Sequence, residues 1–435
     1  MVTNNERLPV PSNAQVIIVG AGLSGLYAAF NLQQAGISCL PHAYGLVKKF
    51  GLEMIKQNIT GDVMLKDHGR SKYGADLPLR EKDREVFGRI RDYVQNSCQT
   101  VDVLNLAKSV ATFGATSMDD LAISMGASDI VRGLVNIWTA AMLGVDSTDV
   151  SLVYFLHYCK AGGGFIQMRS DDVGGGQHLR FRGGSQALAT GLLSCLKQNS
   201  VVLNAAVKRI EQHLDIGCIV TIGDGRQFRS QRVISTVPST LLPQISFSPQ
   251  LSVDKLWLIS QSKMGSYAKV FLCYSEPWWR RRGLCGLSQS PNGTISLTRD
   301  VSSDNDGLYA LACFVVGEKG RVWAQKSPDD RIAEVLTDVD RIYGSDIPRP
   351  VHTQEQIWNN EKFSEGAPCP VVPVSCLASL GRDNWRAEGY IHFAGTETST
   401  TWKGYMEGAL VSGDRAAREV LETFAVDWMS ARAKL

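Results

Sequence analysis

The stretch from Gln15 to Phe30, "QVIIVGAGLSGLYAAF", decides the fold. Gln15 to Val19 is a short β-branched run and reads as a buried strand. It flows straight into Gly20-x-Gly22-x-x-Gly25, after which Leu26 to Ala35 reads as a helix stopped by Gly36. Each glycine has its own reason in such a unit. Gly20 permits the tight turn, Gly22 lets the backbone approach a pyrophosphate, and Gly25 lets helix and strand pack closely. The helix N-terminus then offers free N–H groups and a positive dipole end to the phosphates. The reading is a Rossmann-like dinucleotide site, against the alternative of a chance glycine turn.

The next segment departs from that pattern. Ile37 to Leu40 reads as the second strand, which should end in an acidic residue holding a ribose about 20 residues on. It ends instead in Pro41 and His42, and no Asp or Glu occurs between Gly25 and Glu53. Losing such a contact weakens binding by about two orders of magnitude.

The remaining composition narrows the class. A chain of 435 residues exceeds one ordinary core, so two domains are expected. Hydrophobic content of 44% and charged content of 20% are those of a globular protein. A net charge of +2 gives no nucleic-acid groove and no basic membrane face. No apolar run reaches the ~18 residues of a membrane span, and the N-terminus lacks the apolar core of a signal peptide. Ten cysteines are scattered singly, which fits reduced thiols better than a disulfide framework or a zinc site. The seven histidines show no metal-binding spacing, and Ser185 in "RGGSQA" is not in a Gly-x-Ser-x-Gly elbow. The last three residues, Ala433-Lys434-Leu435, are a variant of the Ser-Lys-Leu peroxisomal address.

The texture changes along the chain. From Phe50 to about Val173 it is mostly helical, with Val86, Ile90, Tyr93 and Val94 at helical spacing. After the glycine-rich "VGGGQ", a helix is expected from about Gln186. "VVLNAAVKRIEQH", "CIVTIGDGRQFRS", "RVISTVP" and "YAKVFLCYS" then read as strands. "GYIHFAGTETS" is a late strand, and a long helix follows from "WKGYMEGALVSGDRAAREVLETFA". Nucleotide-type pieces thus stand at the start, middle and end of the chain.

Four segments, "RFRGGSQALATGL", "GSYAKVFLCYSEPWW", "FSEGAP" and "IHFAGTETSTTWKGYMEGALVSGDRAA", resemble successive motifs of the flavin-dependent monoamine oxidases. The similarity is greatest to the soluble fungal branch and covers most of the chain in the family's order. It implies an α/β (α+β mixed) fold with a Rossmann-like FAD-binding domain and a discontinuous substrate domain. The expected FAD-binding segments are 1–49, 178–257 and 362–424. The expected substrate segments are 50–177 and 258–361, with 425–435 as a tail.

The resemblance also implies roles. Gly20, Gly22 and Gly25 would face the FAD pyrophosphate, and Val207 would touch the adenine side unless it is plain strand core. Gly395, Thr396 and Glu397 would form the turn under the flavin. Gly404, Tyr405 and Met406 would open a helix whose N-terminus points at the ring, favouring negative charge there. Lys269 would hold a water near flavin N5, the alternative being a strand-edge surface lysine. Tyr405 would be one aromatic wall for the amine. The second wall falls at Ala367-Pro368, which carries no ring, while Trp402 and Trp358 are either its substitutes or core. Ala367 also replaces the flavin-bonded cysteine of some relatives, which implies non-covalent FAD and leaves Cys369 a bystander. Trp278 and Trp279 read as packing.

One family block is missing. An acidic residue and an Arg-x-Gly-Gly-Arg segment should follow the second strand, yet only nine residues separate Leu40 from Phe50. The pattern resumes at "GLVKKFGLEMIKQNITGD", so the join looks like one block removed, by true deletion or by a missed exon.

The expected activity is oxidation of a primary or secondary amine to an imine and then an aldehyde, with O2 reduced to H2O2. Two alternatives stand beside it: a non-redox or cofactor-impaired paralogue, and a flavin oxidase of a secondary-metabolite intermediate. No motif supplies an arginine for a substrate carboxylate, so amines without one are expected. The expected setting is the peroxisome, reached through an import receptor that reads Ala433-Lys434-Leu435, with the cytoplasm as alternative. A homodimer is the expected assembly.

Overall fold

The computed structural model describes residues 12–34, 42–104, 106–373 and 385–432. The expected strand Ile37 to Leu40 and the tripeptide Ala433-Lys434-Leu435 lie outside them. The chain divides into two compact units, each built from separated segments.

The first unit comprises Met1–Glu53, Gly183–Ser260 and Arg382–Leu435. Its sheet places Asn13–Val19, Gln227–Ser235, Gly217–Ile222, Val207–His213 and Ser246–Ser248 side by side. Ile391–Phe393 joins Gln227–Ser235 as well, and both it and Asn13–Val19 run parallel to that strand. Val233 and Ile234 are fully buried, as expected where a parallel sheet is covered on both faces.

Two helices of this unit, Leu23–Gln34 and Met406–Arg432, pack closely. A Cβ on Gly413 would lie 2.3 Å from the Ser24 carbonyl oxygen, so only glycine permits this approach. Alanines 28, 394, 416 and 417 fill the seam around Ile234 and Val420. The polar pair Asn31 and Asp414 closes it with a 2.8 Å hydrogen bond.

The second unit comprises Met54–Arg182 and Gln261–Gly381. Its seven-stranded sheet follows the order His352–Ile357, Tyr267–Tyr274, Tyr309–Val316, Leu297–Asp300, Leu284–Gln289, Asp62–Leu65, Gly69–Lys72. All neighbours are antiparallel except Leu284–Gln289 with Asp62–Leu65. One sheet face buries Val270, Leu272, Leu311 and Cys313 with Trp278, Trp279 and the helix Pro328–Tyr343. The other buries Leu65 and Leu297 against Leu134 and Ile137 of the helix Asp129–Leu143. Gly144 ends that helix in the left-handed conformation, φ 70°.

Three differences from the sequence reading have physical causes. "QFRS" and "RVIS" form one strand, Gln227–Ser235, because Ser230 pairs with Ala14 on one side and Cys218 on the other. Two-sided pairing carries the strand through its polar middle. The region read as helical also holds Met54–Lys56, Asp62–Leu65 and Gly69–Lys72, strands too short to show a period. The first helix starts at Leu23 rather than Leu26, so the glycine turn is itself part of its first turn.

Candidate active site

In the first unit the three turn glycines separate by function. Gly20 has φ +111°, and a Cβ there would lie 2.3 Å from Thr236 Oγ1. Thr236 donates both its N–H and its hydroxyl to the Val19 carbonyl, which fixes the exit of the strand. A Cβ on Gly25 would lie 2.0 Å from the Gly20 carbonyl oxygen. A Cβ on Gly22 would meet nothing within 4 Å. Two glycines therefore serve the fold, and the third leaves open space beside a helix start with no acidic residue in its first turn. Such a cradle fits a pyrophosphate. Val207 opens its strand opposite Ile222, half-buried, and packs with one side on the core around Ile210 and Val220.

The late turn joins the same unit. Gly395 has φ +115°, and its N–H donates to Ser24 Oγ and to Ser412 Oγ, both at 3.1 Å. This ties the turn to the glycine-turn helix and to the C-terminal helix at once. Thr396 Oγ1 donates to the Tyr405 carbonyl at 2.9 Å. Glu397 is buried and accepts the N–H and the hydroxyl of Ser239, each at 2.7 Å. Burial pushes its carboxyl up to about 7, against the two Ser239 hydrogen bonds, which hold it down. Gly404 at φ +80° and Trp402 at φ +49° turn the chain into the helix that starts at Met406. The Trp402 and Tyr405 rings meet edge-on, with centroids 5.1 Å apart.

His42, expected just past the end of a strand, is the first residue of a helix, His42–Lys49. Glu407 Oε1 accepts the His42 N–H at 2.9 Å and Oε2 the Ala43 N–H at 2.7 Å. The Tyr27 hydroxyl lies 2.8 Å from His42 Nδ1. A carboxylate on two amides of a helix start satisfies orphan donors and complements the dipole. The chain beyond the shortened connection is thus held by groups of the unit it belongs to.

In the second unit, Lys269 lies on Tyr267–Tyr274, which has a neighbouring strand on each side. It is therefore not a strand-edge lysine. It is half-buried, with Nζ 4.7 Å from the Phe314 ring centroid and 5.7 Å from that of Trp358. Among the described residues no carboxylate reaches ion-pair distance of it. Burial, and next the charge of Arg299, lower its pKa. Trp358 also meets Tyr267 edge-on at 6.0 Å. Trp358 and Trp402 are thus each packed on a motif residue of their own unit and only partly buried. Trp278 and Trp279 are 2% and 0% exposed and belong to the core. Ala367 presents a methyl group, its N–H donating to the Gly265 carbonyl, and Cys369 is buried.

Sequence reasoning missed a charged group in this unit. Arg299 pairs with Asp171, and the Tyr73 hydroxyl donates to Asp171 at 2.6 Å. Arg169, at the end of the helix Phe165–Arg169, stacks over Trp138 at 5.2 Å and Phe165 at 5.0 Å. Burial and the charge of Arg299 lower its pKa to about 10. The only signal was in "LTRD", where Arg299 shares strand parity with the core residue Leu297.

Comparison with known proteins agrees with this geometry. The family model described as flavin containing amine oxidoreductase matches residues 41–421. The match begins one residue after Leu40, the end of the expected second strand. A probable flavin-containing monoamine oxidase A of Dictyostelium discoideum is 28% identical over 93% of this chain and 97% of its own length. Amine oxidase B of Canis lupus familiaris is 31% identical over 70% of this chain and 58% of its own length. Among solved structures, wild-type putrescine oxidase bound to putrescine superposes with TM-score 0.86 at 23% identity, over 94% of this chain and 99% of that one. Cyclohexylamine oxidase from Brevibacterium oxydans does so with TM-score 0.84 at 25% identity, over the same shares.

Proposed function

This chain belongs to the flavin-containing amine oxidoreductases, and from that premise we propose how its own residues serve amine oxidation. FAD is the cofactor of the family, and bound FAD supplies the two-electron oxidation of the amine carbon and the passage of those electrons to O2. The proposal gives Gly20, Gly22 and the start of the helix Leu23–Gln34 the pyrophosphate. Val207 would stand on the adenine side. Gly395, Thr396 and Glu397 would form the bed of the ring, and Tyr405 and Met406 would open the helix toward it. Ala367 offers no thiol, so the cofactor is held without a covalent bond.

The remaining chemistry belongs to side chains. The lowered pKa of Lys269 keeps a larger share of it neutral than an ordinary lysine, ready to hold a water and move a proton. Tyr405 orients the amine nitrogen and excludes water with its ring face. The imine leaves and is hydrolysed to an aldehyde. The observation that carries this reading is the Gly395 turn, tied by its N–H to Ser24 of the phosphate-binding helix. It is tested by purifying the protein with added FAD and following peroxide release on addition of amines. No flavin spectrum and no peroxide from any amine would end the proposal.

The tripeptide Ala433-Lys434-Leu435 motivates a peroxisomal setting and an import receptor as partner, which suits a peroxide product. A fluorescent fusion with and without the tripeptide tests both. A homodimer is part of the same proposal, tested by sedimentation. Among the described residues no helix is long and apolar enough to cross a membrane.

A further inference from the structure

The register of the second unit's sheet puts Lys269 and Arg299 on one face. Lys269 pairs with Phe314, and Phe314 with Leu297. Directly paired residues share a face, and so do residues two apart along a strand. Arg299 is therefore on the face of Lys269, two strands away and one row along. The helix Asp129–Leu143 covers that face, and its Trp138 carries the Arg169 guanidinium on its ring. Gln289 pairs with Leu297 on the same face, and its buried Oε1 has no hydrogen-bond partner among the described residues.

Lys269 and Arg169 thus both feel the charge of Arg299, and Asp171 is the one carboxylate among the described groups that act on these cations. Asp171 is already engaged by Arg299 and Tyr73. Arg169 makes no hydrogen bond or ion pair among the described residues and is held only by stacking. Half-buried cations without compensation are costly. A planar fork with open donors matches a carboxylate.

We propose that Arg169, beside the Arg299–Asp171 pair, receives a carboxylate of the substrate, so that the preferred amines are amino acids in the broad sense. The inference rests on the amine-oxidase reading above and reverses the expectation from motifs alone, which offered no such arginine. The site would disfavour simple cationic amines, because the same charges that attract a carboxylate repel an ammonium. Arg169 is a specificity-determining residue; Arg299, held by Asp171, positions the charge.

The test compares benzylamine with 4-(aminomethyl)benzoate as substrates of the FAD-loaded enzyme, and follows benzoate binding by calorimetry. The wild type should favour the acid by about 10- to 100-fold in kcat/KM. Arg169→Met, which keeps the stacking volume, should reduce that preference to near parity and weaken benzoate binding about tenfold. Arg299→Lys keeps the charge toward Asp171 and should lose less. Equal oxidation of the two amines by the wild type, or a preference that survives in Arg169→Met, overturns the inference and leaves the amine-oxidase reading standing. If neither amine is oxidised, the benzoate titration decides alone: weaker binding by Arg169→Met supports the inference, and unchanged binding overturns it.

Discussion

Lys269 holds its ammonium 4.7 Å from the centre of the Phe314 ring on the neighbouring strand, with no carboxylate at ion-pair distance among the described residues. A lysine in that position is placed by the sheet and destabilised as a cation by burial and by Arg299. Replacing it by methionine keeps the stem and removes the titrating group. Lys269→Met should retain FAD and lose about 100-fold or more of the oxidation rate. The alkaline inflection of the wild-type rate should fall below that of an ordinary lysine and vanish in the variant. An active Lys269→Met with an unchanged pH profile would remove Lys269 from the reaction.

The Glu397 carboxyl makes stability depend on pH with a definite sign. Its folded pKa of about 7 lies above the unfolded value of 4.5, so the native state binds the extra proton. Stability is therefore fullest below the unfolded value and falls as pH rises toward 7, by an amount on the order of 3 kcal/mol. Glu397→Gln can keep both contacts to Ser239 without titrating. Urea unfolding between pH 4.5 and 7 should show a flatter dependence for the variant; identical slopes would contradict the raised pKa.

The glycine turn separates fold from cofactor binding. Gly25→Ala forces a Cβ to within 2.0 Å of the Gly20 carbonyl oxygen and should lower stability with or without FAD. Gly22→Ala meets no protein atom within 4 Å. It should leave the thermal midpoint of the apoprotein nearly unchanged and weaken FAD binding by about tenfold or more, because the methyl occupies phosphate space. Equal FAD affinity in Gly22→Ala and wild type would put the phosphates elsewhere.

At the shortened connection, Glu407 caps the helix His42–Lys49 through two backbone amides. Glu407→Ala should cost about 1–2 kcal/mol in chemical unfolding. Glu407→Gln should recover part of it through its amide oxygen. If both variants are as stable as wild type, other groups hold the segment.

How much of this could be read before the fold was known depended on the kind of signal. The strand–glycine–helix start was legible because its geometry demands glycine at fixed places. The long helix with Val86, Ile90 and Val94 buried was legible from period alone. The strands Asp62–Leu65 and Gly69–Lys72 were not, because four residues carry no period and their stability comes from partners far along the chain. The Arg169–Arg299 group was hidden for a related reason. Its members are spread from Tyr73 to Arg299 over a loop, a helix and a strand, and only the folded chain brings them together. Glu407 stands within a flavin motif, yet its contact with His42 spans 365 positions of the chain, which no motif describes.

The central claim is that this chain, with its ribose-side block missing, still binds FAD and uses it on amines. Anaerobic titration of the FAD-loaded protein with an amine measures this most directly. The account predicts that the oxidised flavin absorbance bleaches with bound-flavin stoichiometry and returns on admitting air, with one peroxide formed per flavin. A protein that retains no flavin after gel filtration, or whose flavin spectrum is unchanged by every amine tried, would contradict it.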